Sequence, residues 1–214
     1  DFDIRGAEPL ADSNGSRITR GKLPVGGASG ESTHFGCMLF VEATSNCRVR
    51  NNLFTNNAPW SNFLNDAAII LYYDNNSVIE QNTFTGLANL SGETKVGIFL
   101  KDAPGYNNNP TVVRFNFLND CTIYGPLQNQ KSKSNPGAHI YQNVLIGERA
   151  YLVYRGESTY WLYYNNTHYN SGRGIHMWSD SANGLEFFNN LVHSASATAK
   201  SWDDKAFGTW RNYN

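Results

Sequence analysis

The side chains best suited to chemistry lie in the middle and later parts of the chain. Lys131-Ser132-Lys133 precedes one apolar run, and Arg155 closes another in Tyr154-Arg155-Gly156. His176 and Trp178 alternate with Ile175 and Met177 in the run 174–178. If Ile175 and Met177 face inward, His176 and Trp178 face out, because successive side chains of a strand take opposite sides. A lysine near a second cation has a lowered pKa and can accept a proton near neutral pH. An arginine keeps its charge and is better suited to stabilising an anion. Seven of the twelve tyrosines, with Trp161, fall between residues 141 and 169. Outward rings would offer a sugar an apolar platform with a polar edge. The alternative reading of these residues is a solvated face with ordinary packing on an outer sheet.

Elements that could position such groups repeat along the chain. An apolar residue, two free positions, an Asn, a free position and usually another apolar residue recur around Asn52, Asn82, Asn116, Asn143, Asn165 and Asn190. The spacing of 22 to 34 residues marks a stacked repeat. A second apolar run precedes each Asn segment: 37–41, 68–72, 97–100, 150–154 and 174–178, with a poorer counterpart near 122–124. Short runs rich in Ile, Val, Phe and Tyr, bounded by Gly, Asn and Asp, are strand signals. One such unit cannot bury its apolar side alone, whereas a stack of parallel units buries a continuous core. The Asn side chains are expected to satisfy the backbone at a repeated tight turn and to take the left-handed conformation such turns need.

With these repeats the chain resembles a right-handed parallel β-helix of the pectate-lyase superfamily, over about residues 35–197. The expected architecture is all-β, a single solenoid domain over 1–214 with about six full coils, whether or not it belongs to a longer chain. From Lys131 to Asn190 it is also similar to the chondroitinase B and alginate lyase family of polysaccharide lyases. The resemblance rests on Lys131-Ser132, Gln142-Asn143, the strand 152–155 before Gly156, and Gly174-Ile175. It implies β-elimination on an acidic, uronic-acid polysaccharide. Lys131 would be the base and Arg155 the acid or charge-stabilising partner, with Lys133 a competing base. Lys133, Lys101, Tyr154, His176 and Trp178 would bind substrate along the outer face of coils three to six. Of the long connections 55–67, 85–96, 102–110 and 124–138, the coil lengths suggest that the third and fourth, with Lys101, Asp102, Lys131 and Lys133, wall a groove. The metal of that family is calcium, but its acidic ligands are replaced here by the run 126–130, which has no carboxylate.

A non-catalytic glycan-binding or structural β-helix, of the adhesin or tailspike kind, explains the same repeats without assigning chemistry to Lys131 or Arg155. A glycoside hydrolase would need a carboxylate pair, and Asp74, Asp102, Glu157 and Asp180 form no sequence-specific one. Charged residues make up 16% of the chain and its net charge is -1, which gives no bulk attraction to nucleic acid or an anionic membrane. No apolar run has the length of a transmembrane helix. A secreted or cell-surface location is expected. Cys37, Cys47 and Cys121 show no metal-type spacing. Cys37 and Cys47 are close enough in the repeat for a disulfide, the alternative being buried thiols. Sequons occur at Asn14, Asn75, Asn89 and Asn165, the last also being the expected ladder residue.

Overall fold

The computed structural model describes residues 2–5, 12–14, 17–19, 37–42, 46–55, 67–72, 76–87, 95–102, 110–125, 136–154, 160–171, 175–177, 185–194 and 212–213. These short extended runs cannot pair locally, because each is followed by a bend. They pair instead with their equivalents one repeat away, always in parallel. Sheet 1 stacks β1 (Phe2–Arg5), β4 (Cys37–Glu42), β7 (Ala67–Tyr72), β10 (Val96–Asp102), β13 (Thr122–Gly125), β16 (Leu152–Tyr154) and β19 (Ile175–Met177). Sheet 2 stacks β2 (Asp12–Asn14), β5 (Arg48–Arg50), β8 (Val78–Glu80), β11 (Thr111–Arg114), β14 (Pro136–Tyr141), β17 (Tyr160–Tyr164), β20 (Leu185–Phe188) and β22 (Asn212–Tyr213). Sheet 3 stacks β3 (Arg17–Thr19), β6 (Leu53–Thr55), β9 (Thr83–Thr85), β12 (Phe117–Asn119), β15 (Val144–Ile146), β18 (Thr167–Ser171) and β21 (Leu191–Ser194).

The expected all-β parallel β-helix is therefore present, and among the described residues there is no helix. The sheets are seven, eight and seven strands deep, against the expected six or so coils. The added coil is the first: β1, β2 and β3 pair with β4, β5 and β6. The weak run at 122–124 is also a full member of sheet 1, paired on both sides.

Three rows of inward side chains fill the core. Sheet 1 supplies Leu39, Ile69, Ile98, Ile123, Leu152 and Ile175. Sheet 2 supplies Val49, Ile79, Val113, Ile140, Tyr163 and Phe187, and sheet 3 supplies Phe54, Phe84, Leu118, Leu145 and, at its far end, Val192. Aligned rings stack within these rows, as Phe54 does on Phe84 at 4.8 Å and 7°.

The bend between sheets 2 and 3 holds the asparagine ladder. Asn116 Oδ1 accepts from both the backbone N–H and the Nδ2 of Asn82, each at 3.0 Å. Asn116 Nδ2 then donates to Ile79 O at 2.9 Å and to Asn143 Oδ1 at 3.0 Å. Each amide so satisfies backbone groups that the bend would otherwise leave unpaired inside the protein.

Two details of the expected ladder are corrected. Its fifth rung is Asn166, which is 1% exposed, and not Asn165, which is exposed on the corner. Asn143 donates to Asn166 Oδ1 at 3.0 Å, and Asn166 to Asn190 Oδ1 at 3.0 Å. The left-handed conformation also belongs to the residue before the ladder Asn, with φ between 53° and 57° at Asn51, Gln81, Phe115, Gln142, Asn165 and Asn189. There the side chain points to solvent, so even Phe115 is accommodated; the amide behind it does the bonding. Cys47 and Cys121 are buried and neither is in a disulfide, which is the buried-thiol alternative for these two.

Candidate functional site

Sheet 1 carries or precedes most of the residues expected to act. Lys101 is a member of β10. Lys131 and Lys133 belong to the connection from β13 to β14, Arg155 is the residue after β16, and Trp178 the residue after β19. Strands β10, β13, β16 and β19 are consecutive neighbours in that sheet. Lys131, Lys133, Arg155 and Trp178 themselves lie outside the described residues, as do Asp74, Glu157, Asp180 and most of the four long connections.

His176 pairs with Val153 and lies half-buried on the face opposite inward Ile175, in agreement with the alternation argument. Tyr154 is a correction. It is 0% exposed and packs edge-to-face on Trp161 at 5.4 Å inside the core, so it cannot line an outer binding face. The register explains this: Tyr154 continues the inward row of Leu71, Leu100 and Gly125. Gly125 is the rung that makes room, since a Cβ there would meet Leu100 O at 2.1 Å and the Trp161 ring at 3.3 Å.

The outer face of sheet 1 is itself apolar. Ala67, Ile70 and Phe99 form a second buried cluster, joined by Val96 and by Tyr124, whose ring meets Phe99 edge-on at 5.1 Å. Ile70, Phe99 and Val153 are at most 1% exposed, so a polymer cannot lie directly on them. The accessible end of this row is His176.

The outer face of sheet 2 is different. Arg114 reaches Glu80 Oε2 through Nε at 2.8 Å and through Nη2 at 2.7 Å, and its Nη1 donates to Tyr141 Oη at 3.0 Å. These bonds hold the guanidinium charged and raise its pKa, the Tyr141 bond first and the Glu80 bond second. Tyr141 stacks on Tyr164 at 4.9 Å and 10°, and Tyr164 on Phe188 at 4.9 Å and 2°. Rings stacked so tightly cover each other's faces and offer solvent only their edges. Of the tyrosines between 141 and 169, Tyr141 and Tyr164 belong to an outer ladder, Tyr154 and Tyr163 lie inside with Trp161, and Tyr169 is exposed on sheet 3.

One polar group in the core had no sequence signal beyond its identity. His168 occupies the rung that neighbouring coils fill with Leu145 and Val192. Its Nε2 lies 2.6 Å from Tyr163 Oη and its Nδ1 lies 3.3 Å from Ala150 O, which also accepts from Ser171 Oγ at 2.9 Å. A carbonyl only accepts, so Nδ1 carries the proton and Tyr163 donates to Nε2. Burial lowers the His168 pKa to about 4 and raises that of Tyr163. This neutral, fully bonded pair is structural.

A family profile described as "Periplasmic copper-binding protein (NosD)" matches residues 31–172, well over half of the chain. No match is found among curated proteins or among solved structures. Copper prefers imidazole and sulfur ligands converging on one point. Among the described residues no three of His, Cys, Asp and Glu converge, so no carboxylate cluster there supports calcium. His139 lies on the outer face of sheet 2, His168 in the core, His176 on the outer face of sheet 1, and His193 against Tyr169 on sheet 3. The described residues therefore do not fit a copper centre. No helix among them is long and apolar enough to cross a membrane. By the extent of the match and by its parallel β-solenoid, the chain belongs to the NosD family.

Proposed function

We propose that this protein binds an acidic polysaccharide along the edge of sheet 1 from which β10, β13, β16 and β19 run on, and that it cleaves the polymer by β-elimination. The carrying observation is the strand order. Lys101 lies in the first of these four strands, Lys131 and Lys133 follow the second, Arg155 the third and Trp178 the fourth. Neighbouring strands of a sheet are spaced by about 4.8 Å, a pitch on which cations from successive coils can follow a chain of uronates. In the reaction Lys131, or Lys133, takes the C5 proton of a uronate whose carboxylate is neutralised by Arg155. The electron pair of that C–H bond forms the C4–C5 double bond, the C4–O bond breaks, and the 4-linked oxygen leaves as a hydroxyl with a proton from water. A location outside the cytoplasm accords with the periplasmic description of the family.

The test is absorbance at about 230 nm, where the new double bond absorbs, during incubation with alginate, chondroitin sulfate, dermatan sulfate and polygalacturonate. A rise with one polymer supports elimination and names the substrate. New reducing ends without that absorbance would indicate hydrolysis instead. A second reading, a β-helix that binds without catalysis, is favoured by the sealed outer face of sheet 1 around Ile70 and Phe99. Retention on a polymer column with neither product would select it.

A further inference from the structure

Sheet 3 presents an outer face unlike that of sheet 2. On sheet 2, Arg48, Arg50, Glu80, Arg114 and Glu186 occupy positions that alternate with buried residues. From β6 to β21, the outer positions of sheet 3 form two rows. The first is Leu53, Thr83, Phe117, Val144, Thr167 and Leu191, each paired in register with the next. The second runs two residues further on, from Thr55 to His193, and contains no Asp, Glu, Lys or Arg. Phe117 and Val144 are each 37% exposed and Leu191 is 65% exposed.

We propose that this face docks on the same face of a second copy of the chain, with the two solenoids antiparallel about a two-fold axis that runs along the strands. Such an axis keeps the strand direction, reverses the order of the coils and brings the first row against itself. The row is chemically palindromic. Reversal sets Leu53 against Leu191, Thr83 against Thr167 and Phe117 against Val144, so that apolar meets apolar and hydroxyl meets hydroxyl at every rung. An isologous interface requires this relation, residue i meeting j while j meets i. The lack of formal charge removes the like-charge cost of bringing two identical surfaces together and gives a charged partner no purchase. Arg17, one register position beyond Leu53, falls outside the six paired rungs.

The footprint sets the strength. Six strands at about 4.8 Å, each contributing three residues at about 3.3 Å, cover roughly 290 Å² per copy. A stable interface needs about 800 Å² per partner, so the dimer is weak and reversible.

The experiment is sedimentation velocity on the whole chain from about 5 to 500 µM, concentrations chosen for a weak interface. The wild type is expected to shift from monomer towards dimer over that range. Leu191→Lys, at the most exposed rung, is expected to weaken association at least tenfold with an unchanged melting temperature. Adding Leu53→Glu to that variant is expected to restore it, because the two-fold pairs position 53 of one copy with position 191 of the other. Melting curves exclude a folding defect, and Val144→Lys, tested alone, is a second disruptive variant away from position 53. A monomer at every concentration overturns the proposal. So does association that neither Leu191→Lys nor Val144→Lys weakens, which would place the contact elsewhere. Failure of the folded double variant to recover overturns the antiparallel pairing.

Discussion

His168 makes the stability of the fold depend on pH in a way that can be worked through. Its ring is fully buried and uncharged, and burial lowers its pKa from 6.5 to about 4. Above the unfolded value of 6.5 the imidazole is neutral in both states and pH has no effect through it. Between 6.5 and 4 the unfolded chain takes up a proton that the folded protein refuses, so stability falls with pH by about 1.4 kcal/mol per unit. The loss levels off below about 4, at roughly 3 kcal/mol. For a chain of this size that lowers the melting temperature by roughly 6–12 °C. The control is the double variant Tyr163→Phe with His168→Leu, which copies the neighbouring coils: Phe187 stands beside position 163, and Leu145 beside position 168. Removing both partners leaves no unpaired group, so the double variant should match or exceed the wild type at pH 7.5. The single variant His168→Leu strands the buried Tyr163 hydroxyl and should cost about 1–3 kcal/mol. Melting curves at pH 7.5, 6.5, 5.5 and 4.5 give the answer, with the double variant subtracting acid effects from the rest of the chain. If wild type and double variant lose the same stability between pH 6.5 and 4.5, the imidazole is not a desolvated base and the reasoning fails.

Asn166→Ala should cost about 1–3 kcal/mol by stranding backbone groups at the bend, whereas Asn165→Gly, on the exposed corner, should change the melting temperature little; equal effects would refute the assigned rung. Gly125→Ala places a Cβ 2.1 Å from Leu100 O at a φ of +141°. That variant is expected to be insoluble or to melt far below the wild type, and a normal melting curve would refute the packing around Trp161. On the lyase reading, Arg155→Ala abolishes the absorbance rise at 230 nm while leaving the far-ultraviolet circular dichroism and melting temperature unchanged. Loss of the fold would instead make Arg155 structural.

The architecture was legible because a parallel solenoid repeats the same physical requirements in every coil. Inward residues alternate with outward ones, and each bend needs an amide. Both leave marks at fixed offsets, so Asn52, Asn82, Asn116, Asn143 and Asn190 could be identified by spacing alone. The Asn165-Asn166 pair was ambiguous because the apolar residue expected two positions on is His168, a side chain acceptable in the core only when Tyr163 is there to bond it. That partner is set by tertiary register, as is the inward direction of Tyr154, which fits only beside a coil with Gly125. The left-handed corner was equally silent: Asn, Gln and Phe all occupy it, since the conformation is held by the buried amide of the next residue and not by the side chain at the corner. Period and alternation thus determined a stacked parallel coil from the sequence. Which tyrosines face in, which amide bonds the bend and which outer face is free of charge were decided only when the coils were placed against one another.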